Sequence, residues 1–207
     1  MAVHGDRELV RKDGVSLTYR EVEARSAALA RGLLAQGAGK GTRIGLLMPN
    51  GPDWIVSWLA IARIGAIAVT LSTFFAAREL AYGLAHADVA ILLTAPAYLK
   101  HDYLGRLEEA FPDLADREAA EPLILESAPY LRGIWVAGAT APAWARGTLA
   151  AMCPSDRHNE SWPCARWRRS IAWPKAVAFP STCRRRWAGT GRCAATTISA
   201  SGARSCS

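Results

Sequence analysis

The first 150 residues of this 207-residue chain lack cysteine, and the remainder lacks leucine and almost every acidic residue. The cysteines begin at Cys153, no leucine follows Leu149, and no acidic residue follows Glu160. Without cysteine, the first part cannot contain disulfides or a cysteine-ligated metal. Leucine and glutamate are among the commonest residues of folded domains, so their loss at one place divides the chain in two.

Charge divides the chain at the same place. The formal net charge is +7, but residues 1–150 hold 15 basic and 16 acidic residues. Residues 151–207 hold 10 basic residues and only Asp156 and Glu160 as acids. A basic balance usually indicates a nucleic-acid or anionic-membrane partner. Here that indication applies to the tail alone, and we expect no specific nucleic-acid partner.

The N-terminus lacks the apolar core of a signal peptide, because Asp6, Arg7 and Glu8 occupy its place. We therefore expect a cytoplasmic protein with reduced thiols. The apolar run from Trp54 to Leu71 is nearly long enough to span a membrane, but Arg63 lies within it. A helix that ends at Arg63, followed by a short strand, explains the run without a membrane span.

The segment from Arg43 to Asn50 is a short apolar run closed by proline and asparagine. Such a run is typical of a strand buried on both faces inside a parallel sheet. Before it, Asp13 and Gly14 predict a hairpin turn, and Thr18 with Glu21 forms a capping box that begins a helix. The apolar face of that helix is predicted at residues 22, 26, 29 and 33.

A second helix is predicted from Pro52, with Ile55, Leu59 and Ala62 facing inward. Trp54 and Trp58 lie one turn apart and are interpreted as core residues of this helix. Further along, strands are predicted at 66–71, 89–94 and 133–138, helices at 77–86 and 100–111, and a surface loop at 113–122. Alternation of strands and helices every 20 to 25 residues predicts an α/β fold with right-handed crossovers.

The ordered set of segments in residues 5–140 closely resembles the N-terminal part of AMP-forming acyl-CoA synthetases, the adenylating family. The resemblance implies a partial N-terminal AMP-binding domain in residues 1–150, with a mostly parallel sheet flanked by helices. Residues 151–207 are expected to be a disordered basic tail and not a domain. The segments that carry the resemblance are Leu17–Glu21, Gly41–Asn50, Ala62–Ala66, Arg78–Leu80 and His86–Val89.

The resemblance also implies a chemistry: ATP, Mg²⁺ and coenzyme A as cofactors, and a carboxylic acid as substrate. In that family a loop of the type Y-T-S-G-[ST]-T-G-x-P-K-G handles the phosphates, through backbone amides, hydroxyls and a lysine. The nearest match here is 167–177, in which Ser170, Pro174 and Lys175 fit as a degenerate cofactor-binding remnant. Arg169 stands where a glycine belongs, and Ile171 stands where a threonine belongs.

These departures predict a truncated synthetase that is inactive alone and binds none of the family's cofactors, with no catalytic residue and no metal ligand of its own. The composition of the tail is also what a GC-rich gene gives when it is translated out of frame. Codons can be chosen for 192–207 whose shifted frame restores leucine and aspartate. Our hypothesis is a frameshift between about residues 145 and 165.

Two other interpretations of the tail stay open. Its cysteines are spaced by 11, 19, 10 and 13 residues, without a Cys-x-x-Cys pair, which is unlike structural zinc. Its arginines and tryptophans have the composition of a single-strand binder, so a non-enzymatic binding module with a nucleic-acid-binding tail is the alternative function. The isolated His4, His86 and His101 are predicted at surface or capping positions.

Overall fold

Five short strands pair in parallel at the centre of the structure, a computed structural model that describes residues 4–118 and 123–153. The strands are β1 (Glu8–Lys12), β2 (Val15–Thr18), β3 (Arg43–Leu47), β4 (Ile67–Thr70), β5 (Ile91–Thr94), β6 (Ala97–Tyr98), β7 (His101–Asp102), β8 (Gly133–Val136) and β9 (Gly147–Thr148). The parallel sheet has the order β4-β3-β5-β8-β9, while β1-β2 and β6-β7 are antiparallel hairpins. The predicted α/β fold with a parallel sheet is confirmed.

Helices connect these strands and cover the sheet. They are α1 (Tyr19–Ala35), α2 (Pro52–Arg63), α3 (Ala77–His86), α4 (Tyr103–Ala110) and α5 (Leu149–Met152). Helix α2 connects β3 to its neighbour β4. Helix α3 then connects β4 to β5, which lies on the other side of β3. Right-handed crossovers in opposite directions place α2 and α3 on opposite faces. Helix α1 packs on α2, and α4 packs on α3, which completes one helical layer on each face.

The N-terminal hairpin and α1 follow from local sequence signals. Asp13 and Gly14 adopt φ values of 50° and 80°, as the turn of a two-residue hairpin requires. Thr18 caps α1 and forms the predicted capping box with Glu21. The predicted apolar face is confirmed, because Val22, Ser26, Leu29 and Leu33 are all buried. The helix ends at Ala35, two residues before Gly37, which supplies the left-handed φ of 76°.

The inward face predicted for α2 is wrong by about one position. The buried residues are Val56, Ser57, Ala60 and Ile61. Ile55 and Leu59 are only half-buried, and Ala62 is exposed. Trp58 is also not a core residue, since 43% of it is exposed, although its ring stacks on the half-buried Trp54 at 6.3 Å. Because nearly every position of this helix is apolar, no polar face sets the phase of its periodicity.

The core lies along β3, β5 and β8, whose side chains are almost all buried on both faces. A β carbon at Gly45 would lie 2.9 Å from Cδ1 of Leu92 and 3.1 Å from Cγ1 of Val89. Glycine at this position therefore lets the side chains of β5 and its approach pack against the backbone of β3. The interior strand predicted from Arg43 is confirmed, with β4 and β5 as its neighbours.

The structure departs from the sequence-based expectations in three later segments. The hairpin β6-β7 occupies the start of the fourth predicted helix, so α4 begins at Tyr103, capped by Asp102. A 3-10 turn covers Pro112–Leu114, where a surface loop is predicted, and Leu114 is fully buried. Beyond Gly138, where the pattern fades, the core gains Trp144 from the loop before β9 and Met152 from α5.

No helix in residues 4–118 and 123–153 is long and apolar enough to cross a membrane. The run from Trp54 is divided between α2 and β4, with Gly65 at a φ of 69° between them. The prediction of a disordered tail from residue 151 is wrong at its start, because Ala151 and Met152 belong to α5. The tail beyond Cys153, with the zinc and nucleic-acid interpretations attached to it, lies outside the described residues.

Candidate functional site

The carboxyl ends of β3, β5 and β8 meet at one cleft of about 240 Å³. Met48 and Pro49 follow β3, Ala95 follows β5, and Ala137 follows β8. After β3 the chain forms β4 on one side of β3 and then β5 on the other side of β3. The direction in which strands are added therefore reverses between β3 and β5. In open α/β sheets, ligands bind outside the carboxyl ends at such a reversal. The cleft is therefore the candidate functional site of the described residues.

The hydroxyl of Thr94 holds the floor of this cleft together. It lies 3.1 Å from the carbonyl oxygen of Leu47 and 2.9 Å from that of Ala95, and it can donate to either. Thr94 is fully buried, so a polar side chain here needs such a partner. Either acceptor satisfies the hydroxyl where β5 ends beside β3, one residue before Ala95 of the cleft.

Lys12 connects the N-terminal hairpin to the rim of the cleft. Its ammonium donates to the carbonyl oxygen of Asn50 at 2.7 Å and lies 4.6 Å from the centre of the Tyr98 ring. A cation over an aromatic face gains about 0.5–1 kcal/mol at an exposed site. Lys12 therefore joins three separate segments, β1, the loop before α2, and β6.

The charged groups of the cleft offset one another. Lys12 and Arg25 supply two positive charges, and Asp13 and Asp53 supply two negative charges. The first turn of α2 also lies here, but Pro52 has no amide hydrogen, and Asp53 supplies the negative charge that a helix N-terminus favours. The charges of the cleft are thus balanced, unlike those of a site built to hold several phosphates.

A second cleft, of about 370 Å³, lies at the amino ends of the same strands. Arg43 there pairs with Asp88 at 3.2 Å, and Arg132 and Tyr130 line the opposite wall. Asp88 follows α3 in the left-handed region at a φ of 46°, a conformation that aspartate tolerates better than most residues. The pair stabilises the approach to β3 and β5 on the side opposite the candidate site.

The predicted phosphate-loop remnant, Ser170, Pro174 and Lys175, lies outside the described residues. Within residues 4–118 and 123–153, no cluster of histidine, cysteine, aspartate and glutamate could hold a metal. His86 stacks on the exposed ring of Tyr82 at 5.2 Å, and His101 contacts Arg106.

Sequence reasoning missed Lys12, Arg25 and Tyr98 as residues of the cleft. Lys12 ends a strand beside a turn, and its hydrogen-bond partner lies 38 residues away. No local pattern encodes that distance. The only signal that could have located the cleft is the order of the strands, because the reversal between β3 and β5 places it.

The sequence profile of the family described as AMP-binding enzyme matches residues 1–158. The chain is 37% identical over 122 residues to the acyl-CoA ligase sidI of Aspergillus fumigatus. This alignment covers 58% of this chain and 20% of that ligase. It is 34% identical over 123 residues to the 3-hydroxybenzoate–CoA/4-hydroxybenzoate–CoA ligase of Thauera aromatica. This alignment covers 57% of this chain and 23% of that ligase.

Solved structures show the same fold. The anthranilate CoA ligase AuaEII in complex with anthranoyl-AMP aligns with a TM-score of 0.56 and 22% identity, covering 67% of this chain and 23% of that one. A benzoate CoA ligase from Burkholderia xenovorans aligns with a TM-score of 0.55 and 19% identity, and this alignment covers 74% of this chain and 27% of that one. The matched part of this chain spans about a fifth of the length of the curated relatives named above.

Proposed function

Because the chain belongs to the AMP-binding enzyme family, we propose that it is the truncated N-terminal part of an acyl-CoA ligase and is inactive alone. At the family level the reaction joins a carboxylic acid to coenzyme A, with ATP and Mg²⁺ as cofactors. The observation that carries the proposal is the match over residues 1–158, together with the parallel sheet and its carboxyl-end cleft. We propose a carboxylic acid as the substrate class, because the relatives are named as ligases of coenzyme A.

The described residues do not fit ATP with Mg²⁺. A triphosphate requires several convergent amides or cations, whereas the cleft has as many carboxylates as cations. The ammonium of Lys12 is already bonded to Asn50 and placed over Tyr98. We propose that residues 1–150 supply a scaffold to the family's site, and that nucleotide chemistry requires segments beyond them.

The test of inactivity is carboxylate-dependent exchange of pyrophosphate into ATP by the purified 207-residue chain. The assay should use a panel of aliphatic and aromatic acids, with an intact family ligase as positive control. We expect no exchange above the level without acid. Exchange that depends on an acid would overturn the proposal, and its loss in Lys175→Ala would then assign the activity to the remnant loop.

We further propose that the tail was translated out of frame. Leucine ends at Leu149, acids end at Glu160, and the family profile stops at residue 158, so all three changes fall within a short stretch of the chain. Resequencing the gene across codons 140 to 210 tests this. A single inserted or deleted base that restores the glycine-rich phosphate loop supports it, and a confirmed sequence without such a base overturns it.

The second candidate function is a non-enzymatic binding module with a basic nucleic-acid-binding tail. It is favoured by 10 basic against two acidic residues in 151–207. Such binding should weaken steeply with salt, because each neutralised phosphate releases a counterion. The test compares the full chain with the triple variant Arg184→Gln, Arg185→Gln and Arg186→Gln in binding to single-stranded DNA. Equal affinity and equal salt dependence in both proteins would exclude this function.

A further inference from the structure

Arg106 of α4 holds the segment that leaves the carboxyl end of β4. Its Nη1 donates to the carbonyl oxygen of Thr73 at 3.2 Å and to that of Phe75 at 3.0 Å. These contacts connect residues more than 30 positions apart, and both oxygens belong to residues 72–76. Because an arginine fork donates in a fixed plane, two acceptors on one nitrogen fix the position of this segment.

His101 of β7 contacts the same guanidinium, through its Nδ1 and the Nη2 of Arg106. Arginine stays protonated at every ordinary pH and has no acceptor atom, so Nη2 is the donor. Nδ1 must therefore carry a lone pair, which places the proton of the neutral ring on Nε2. The rings of Phe74 and His101 lie nearly perpendicular, with their centroids 5.5 Å apart, so His101 contacts both the Arg106 guanidinium and residues 72–76.

Protonation of His101 reverses the sign of this contact. A proton on Nδ1 would point a second donor at Nη2 and bring two positive charges together. Histidine is the side chain whose ordinary titration lies between pH 5 and 8. Protonation of this ring would therefore convert an attractive contact into a repulsive one without affecting the charge of Arg106.

The side chains with described contacts to the His101 ring, Arg106 and Phe74, carry no negative charge. Helix α4 presents Arg106 and Tyr103, and burial raises the pKa of Tyr103, which keeps its phenol neutral. Strand β6 presents Tyr98, beneath the ammonium of Lys12. The carboxylate of Asp102 accepts from the amide of Gly105 at 3.0 Å, and across the described segments no carboxylate is paired with His101.

We propose that Arg106 and His101 form a pH-sensitive clamp on residues 72–76, closed when the imidazole is neutral and open when it is protonated. The segment follows β4, so it borders the carboxyl edge of the sheet at which ligands of such folds bind. Phe74 is 72% exposed, and release of the clamp changes the position of this apolar side chain at that edge. The proposal does not depend on ligase activity.

Hydrogen exchange of the full chain at about pH 7.5 and about pH 5.5, corrected for chemical exchange, tests the clamp. The reporters are the amides of Phe74 and Phe75, which donate to Oγ and to the carbonyl oxygen of Ser72. We expect their exchange to rise about tenfold in acid, as the loss of one hydrogen bond to a charged group implies. His101→Gln retains an acceptor that does not titrate, so its exchange should show no such rise.

His86→Gln is the matched control and should keep the rise, because His86 lies on α3 and stacks only on Tyr82. The nitrogen chemical shifts of the His101 ring in the unaltered chain give a second measurement, with Nδ1 expected to be unprotonated at neutral pH. The clamp is refuted if the rise persists in His101→Gln, if the unaltered chain shows no rise, or if Nδ1 carries the proton at neutral pH.

Discussion

At the scale of single residues, Arg63 connects the two helices of one layer. Its Nη2 lies 2.5 Å from Oε2 of Glu23, and its Nε donates to Oγ of Ser26 at 3.1 Å. Ser26 is fully buried in the face that α1 presents to α2, and about a third of the Arg63 side chain is exposed. The pair is thus screened only in part, and it fixes the end of α2 against the middle of α1.

We predict that Arg63→Ala lowers the free energy of unfolding by about 1 kcal/mol, the upper end for a partly exposed ion pair. Urea denaturation at neutral pH measures the change. Arg78→Ala is the matched control, because Arg78 lies exposed on α3. If both variants lose the same stability, Arg63 acts only through helix propensity and its link to α1 is unimportant.

Glu21 makes the stability of α1 depend on pH. The backbone amide of Thr18 donates to its carboxylate at 2.8 Å, and this bond, with that of the Thr18 hydroxyl, lowers the pKa of Glu21. Because the pKa of Glu21 is lower in the folded state than in the unfolded state, its ionised carboxylate stabilises the fold at pH values above its unfolded-state pKa. This stabilisation is lost as the pH falls through the pKa that Glu21 has in the folded state.

We therefore predict that Glu21→Gln flattens the fall in unfolding free energy between about pH 5 and pH 3. Part of the fall should remain, because Arg11 and Ser16 lower the pKa of Glu8 in the same way. Glu109→Gln, at an exposed position on α4, is the control and should leave the pH profile unaltered. A profile for Glu21→Gln that matches the unaltered chain would contradict the role of the capping box.

At the scale of elements, the sequence predicted those segments whose signals are local. The capping box of Thr18 fixed the start of α1, and Asp13-Gly14 fixed the first hairpin. Glycine and proline likewise bounded the interior strand before α2. In these places turn chemistry and periodicity indicate the same structure, so one sequence is sufficient.

Elements that depend on tertiary contacts could not be predicted. Helix α5 has four residues, too few for a periodic signal, and it forms because Met152 packs against α1. The phase of α2 was missed because tryptophan, leucine and isoleucine occur around the whole helix. The contact between Lys12 and Asn50 was missed because the fold brings these two residues together, and no local sequence pattern relates them.

The packing of α5 on α1 gives a prediction at this scale. A β carbon at Gly32 would lie 2.3 Å from the carbonyl oxygen of Met152. Backbone cannot yield as a side chain does, so we predict that Gly32→Ala destabilises the protein by about 1–3 kcal/mol. The gain of about 1 kcal/mol in helix propensity is outweighed.

Gly83→Ala on α3 is the matched control for this substitution. Its β carbon would meet Leu71 at 3.4 Å, an ordinary contact, so the helix propensity of alanine should stabilise the protein by up to about 1 kcal/mol. Thermal unfolding of both variants gives the comparison. A stabilised Gly32→Ala would mean that α5 does not pack on α1 as the structure has it.

At the scale of the whole molecule, the chain combines a family fold with a tail of foreign composition. The parallel sheet, its helical layers and the reversal between β3 and β5 are those of the ligases to which the chain is similar. The cleft at the carboxyl edge has balanced charges and a lysine already engaged. We infer a scaffold that needs further segments before it can hold a nucleotide.

The most direct test of that inference is equilibrium binding of ATP with Mg²⁺ to the full chain by calorimetry. Measurement at about 0.5 M salt suppresses weak attraction to the basic tail. The account predicts no saturable binding up to several millimolar nucleotide. Saturable binding at one site that survives this salt concentration would contradict it, because it would show that these 207 residues already contain a working nucleotide site.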